Sequence, residues 1–160
     1  MRLAKYFDTD DGSLPEIEFE FDSPERVVNA FEYFFSCGAT DVTADGGCKL
    51  WNVRLDREVP FEGPDDVRKL LTGDVEPFHI VLGRISLGRP TIPNLGLLVC
   101  LSGLTIDYRM GEEWGEAEIE SLILLLRELA SMGGAISVPW WGQDGDSDFR
   151  AAACLSLIHI

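Results

Sequence analysis

Three aspartates stand at alternate positions, Asp144, Asp146 and Asp148, directly after the adjacent Trp140 and Trp141. Alternate carboxylates open a calcium loop, where they converge on one hard cation. The remainder of that loop is missing. Its sixth position is Phe149, where the sharp turn needs glycine, and its twelfth is Leu155, where a bidentate glutamate would close the shell. The stretch DTDDG at Asp8–Gly12 fails in the same way. No metal is expected at either place, and the three aspartates read as a solvated turn. A strand continued through Trp140 and Trp141 would point the two rings to opposite sides, with Trp141 outward. Trp141 with Asp144, Asp146 and Asp148 then forms a candidate partner-binding surface, an aromatic anchor beside carboxylates. The plainer alternative is a sheet edge sealed by the chain's tail.

A second polar cluster offers chemistry of another kind. Asp107 and Arg109 share a strand face with Thr105, and Glu112 and Glu113 follow in the turn before a long helix. Arg109 could hold a substrate carboxylate or phosphate while a neighbouring carboxylate acts as base. A surface ion pair, with glutamates favoured near a helix N-terminus, accounts for the same residues.

Other motifs are incomplete. GRISLGRP has the outer glycines of a phosphate loop, but Arg89-Pro90 stands where lysine and a hydroxyl residue must reach phosphate and magnesium. Ser102 in CLSGL lacks the G-x-S-x-G frame of a nucleophile elbow and suits a hairpin turn. His79 lies in register with Val81, Gly83 and Ile85, an apolar strand face that suggests a hydrogen-bonded core imidazole. The four cysteines, Cys37, Cys48, Cys100 and Cys154, are widely spaced without a C-x-x-C pair and read as small apolar residues. No cofactor is implied.

The elements that must position these residues follow from periodicity. EIEFEF at Glu16–Phe21 alternates strictly, the pattern of an antiparallel strand with one wet face. Ser23 caps a helix that begins at Pro24, carries Val27, Val28, Phe31, Phe34 and Phe35 on one side, and ends at Gly38. The next stretch predicts two strands joined at Asp45-Gly46-Gly47, with Trp51, Val53 and Leu55 sharing a face. A short helix from Pro64 stops at Gly73, and PFHIVLGRISL supplies a central strand. LLVCLSGLTIDYR predicts a hairpin about Ser102-Gly103 that sets Leu101 opposite Leu104 and Val99 opposite Ile106. One long strand with a bulge at Gly103 is the alternative. A long helix follows Gly115, its stripe made of Ile119, Leu122, Ile123, Leu126 and Leu129, and Trp114 is placed to staple Ile119. The last strand, AISVPWW, is an edge strand or is interrupted near Pro139.

This order predicts a single α+β domain over residues 1–154. Its sheet is mainly antiparallel, with about six to seven strands, and two long helices and one short helix pack on it. Leu155–Ile160, LSLIHI, reads as a non-native adapter-derived tail. The start of the chain lacks the apolar segment of a secretory signal and no run is long enough for a membrane span, so a cytoplasmic location is expected.

Thirteen basic against 28 acidic residues give a formal charge of −15, spread along the whole chain. Such a charge repels nucleic acid and acidic membranes and speeds encounter with basic partners. Two functions are compatible with these features. One is an acidic, non-enzymatic binding module that caps a basic protein, comparable in size and acidity to immunity proteins and other toxin inhibitors. The alternative is a small enzyme using Asp107, Arg109, Glu112 and Glu113.

Overall fold

Alternation along Glu16–Glu20 buries Ile17 and Phe19 and leaves Glu16 and Glu20 in water, which makes this segment a strand, β1. In a computed structural model, which describes residues 2–154, it is followed by α1 (Pro24–Ser36), β2 (Thr40–Asp41), β3 (Lys49–Asn52) and β4 (Arg57–Pro60). A 3-10 turn at Pro64–Val67 leads into the one-turn helix α2 (Arg68–Leu71). Then come β5 (Phe78–Gly83), β6 (Leu95–Cys100), β7 (Gly103–Tyr108), α3 (Glu116–Ser131), β8 (Ala135–Ser137) and α4 (Gly142–Cys154). The expected tail, Leu155–Ile160, lies outside the described residues.

Six strands form one antiparallel sheet in the order β2-β5-β6-β7-β1-β8, and β3 and β4 pair as a separate ribbon. The inner face of the large sheet buries Ile17, Phe19, Ile80, Leu82, Leu97 and Ile106. It shares one core with Val28, Phe31 and Phe34 of α1 and with Ile119, Leu122 and Leu126 of α3. The chain is thus a single α+β domain. Ser23 caps α1 by accepting from the Arg26 amide, as the S-P-E sequence requires. Among the described residues no helix is long and apolar enough to cross a membrane.

Three local expectations are corrected. The segment after α1 is not a hairpin about Asp45-Gly46-Gly47, because β2 pairs with β5 and β3 pairs with β4. The Asp41 carboxylate accepts from the amides of Thr43 and Cys48 at 3.0 and 2.7 Å, which folds the intervening loop back on itself and sends β3 to another partner. Trp51, Val53 and Leu55 do not line one strand, since β3 ends at Asn52, whose side chain accepts from the Leu55 amide. The β6–β7 hairpin forms, but it turns at Leu101-Ser102, pairing Val99 with Leu104 and Leu97 with Ile106. Gly103 is needed inside the strand, where a Cβ would collide with the Phe19 carbonyl of β1. The shift is by two positions, so every side chain keeps its expected face.

Candidate functional site

The outer face of the large sheet is built by the second half of each alternation. Glu16, Glu18 and Glu20 stand in a row on β1, opposite Asp107, Thr105 and Gly103 of β7. Across the sheet the same face carries Leu98 on β6 and His79 and Val81 on β5. No helix among the described residues covers it: Glu16, Glu20, His79 and Leu98 are exposed, and Glu18, Val81 and Thr105 are half-buried.

Asp107 crosses this face. Its carboxylate lies over Gly96, where a Cβ would collide with it, and reaches from β7 past β6 to the His79 Nε2 at 2.7 Å. The imidazole, expected in the core, is instead 45% exposed beside Leu98. The inner face of β5 is made by Phe78, Ile80 and Leu82, the opposite parity. Farther along the face, a depression of about 400 Å³ opens between β7, β1 and β8, lined by Glu18, Glu20, Thr105, Ser137 and Arg150.

The C-terminal cluster has a different geometry from the one its sequence suggests. The strand ends at Ser137, Pro139–Trp141 form a 3-10 turn, and Gly142–Cys154 are helical. Positions two apart on a helix lie about 200° apart around its axis, so Asp146 faces away from Asp144 and Asp148. Asp146 accepts from the Val138 amide at 2.6 Å and from Arg150 at 2.7 Å, tying α4 to the end of β8. Asp148 is buried, accepts from the Tyr6 hydroxyl at 2.8 Å and pairs with Arg2 at 2.9 Å. The Val138 amide holds the Asp146 carboxyl below the usual range, and the Tyr6 hydroxyl does the same for Asp148. Asp144 is exposed. Trp141 is half-buried: its ring packs on Tyr6 and its indole donates to the Tyr108 hydroxyl at 3.0 Å. The outward tryptophan is Trp140, 47% exposed.

The residues of the second cluster do not converge on one point. Asp107 is engaged by His79, while Arg109 forks onto Asp10 at 3.3 and 3.4 Å. Arg109 lines a cavity of about 500 Å³ with Asp10, Glu112 and Glu113, and Asp107 is not part of that lining. Among the described residues no three His, Cys, Asp or Glu side chains are gathered to hold a metal ion.

No protein family, curated protein or solved structure matches the chain. The functional assignment therefore rests on charge and geometry.

Sequence reasoning missed the outer sheet face as a unit, and with it His79 and Leu98. The signal for the glutamate row was in the EIEFEF alternation, which separates three carboxylates from three apolar residues. That for Asp10 was absent, because nothing local links it to an arginine 99 positions away.

Proposed function

We propose that this chain is an acidic, non-enzymatic binding module that caps a basic protein, in the manner of immunity proteins and other toxin inhibitors. The observation that carries this is where the charges go. Of thirteen lysines and arginines, eight (Arg2, Arg26, Arg54, Arg68, Lys69, Arg89, Arg109 and Arg150) are paired with the chain's own carboxylates. Of the 28 acidic residues, most are left to face solvent, so the net charge of −15 is expressed at the surface and attracts a positive partner. Within the C-terminal cluster, Trp140 and Asp144 are the side chains placed to meet such a partner, and Trp141, Asp146 and Asp148 act through the scaffold they hold. The enzyme alternative has less support, since Asp107 and Arg109 are engaged by separate neighbours and do not line a shared cavity.

The test is association kinetics against the basic proteins encoded beside this gene. Association should slow markedly as ionic strength rises to the physiological range, where the Debye length shortens to about 8 Å. Finding no basic partner among them, or a partner whose association rate ignores salt, would overturn the proposal.

A further inference from the structure

We propose that the basic partner docks on the outer face of the six-stranded sheet, closing over its apolar strip while the β1 glutamates meet its lysines and arginines. This inference rests on the acidic-module reading and adds the surface to it.

A sheet face without a covering layer is ordinary in antiparallel proteins when its side chains are polar. This one exposes apolar side chains beside the polar pair His79 and Asp107. Toward β2 and β5 it carries Val42, Val81 and Leu98, with Val42 and Leu98 41% and 39% exposed. Val42 belongs to this face because it lies against Gly83, where a Cβ would come within 3.2 Å of the valine Cγ1. Toward β1 the face is acidic, with Glu16, Glu18 and Glu20 at successive outward positions. The depression beside Glu18 and Glu20 leaves room for a long side chain, and the one cation on its lining, Arg150, is neutralised by Asp146.

An apolar strip beside a carboxylate row has the anatomy of a protein interface, in which desolvated apolar contacts supply affinity and the charged rim sets orientation and encounter rate. The charge selects the occupant. A second copy would bring two glutamate rows together on chains of −15 each, whereas a basic protein matches both halves. Asp107 reaches over Gly96 to His79 on β5, so this polar pair runs between Val81 and Leu98 and fills the groove over Gly96.

The experiment is an NMR titration of the labelled full chain with a lysine-rich cytochrome c as probe. The ionic strength is about 0.1 M, where the Debye length is about 10 Å and only carboxylates near the contact count. Amide shifts should concentrate on 16–20, 79–81, 96–98 and 103–107. The triple variant Glu16→Gln, Glu18→Gln, Glu20→Gln should weaken binding by about tenfold or more. Glu25→Gln, Asp65→Asn, Glu116→Gln, which removes the same charge elsewhere, should change it by less than about twofold. Shifts spread over α1 and α3, or equal losses from both triples, would overturn the docking face and leave the acidic module standing. No binding at all would overturn both. Concentration-dependent self-association on the same amides, without probe, would assign the face to a second copy and also overturn the proposal.

Discussion

Tyr6 and Asp148 show how one hydrogen bond joins the two ends of the described chain. Tyr6 lies in the 3-10 turn Ala4–Tyr6, its ring packs on Trp141 and Phe149, and its hydroxyl donates to the buried Asp148. Its backbone carbonyl accepts from Tyr108, whose hydroxyl accepts from Trp141. Tyr6→Phe keeps the ring contacts and removes only the donor, leaving Asp148 with Arg2 alone. The variant should lose a few degrees of Tm and show a lower urea midpoint at unchanged slope. A wild-type urea curve would mean that Arg2 suffices to hold the carboxylate. At this scale the sequence is a partial guide. His79 shares its face with Val81 and Gly83 as their spacing predicts, whereas Ile85, beyond the end of β5, is buried, and valine and glycine do not say whether their face is wet. The answer came from Asp107, whose reach over Gly96 depends on strand register.

Among the elements, β1, α1 and α3 were legible because their apolar periods are unbroken, and α1 adds the Ser23 cap. The helix α4 was not. Gly142, Asp144, Gly145, Asp146 and Asp148 are poor helix formers, and the same run of aspartates resembled a cation loop. A helical period was nevertheless present, since Trp141, Gly145, Phe149 and Ala153 recur every fourth position and turn inward. One of the four is a glycine and carries no apolar signal. Propensity alone says that Gly145→Ala should stabilise a helix interior by about 1 kcal/mol. The packing says the reverse, because a Cβ at 145 would collide with the Trp141 Cβ and press on the Tyr6 ring. Overpacking of this kind costs about 1–3 kcal/mol, so the variant should be less stable in urea denaturation. A gain in stability would show that α4 can shift away from Trp141 without loss. The loop between β2 and β3 departs from its local pattern for a related reason: Asp45-Gly46-Gly47 has the residues of a hairpin turn, and Asp41, several positions earlier, redirects it.

Across the whole molecule, the three tyrosines make stability depend on pH from the alkaline side. Tyr6, Tyr33 and Tyr108 are the only tyrosines in the chain, and burial pushes all three phenols upward, Tyr6 from 10.0 to about 12 and the other two further. The Asp148 carboxylate reinforces the effect at Tyr6, and the neighbouring Cys37 does so at Tyr33. Burial also raises the Cys48 thiol from 9.0 to about 11. A group with a raised folded pKa binds its proton more tightly in the folded state than in the unfolded state. Its contribution is complete below the unfolded value and is lost as pH rises through the folded one. Folding stability should therefore fall from about pH 9 for Cys48 and from about pH 10 for the tyrosines, steepening toward pH 12. Each proton lost adds to a net charge of −15, so added salt should move the transition to higher pH. Phenolate absorbance and far-ultraviolet circular dichroism, followed together through an alkaline titration, test this directly. The phenolate signal should appear in one cooperative step that coincides with loss of secondary structure. Reversible ionisation of Tyr6 or Tyr108 near pH 10, assigned in a Tyr33→Phe variant while the circular dichroism stays intact, would show that the Tyr6–Tyr108–Trp141 network opens to water without unfolding.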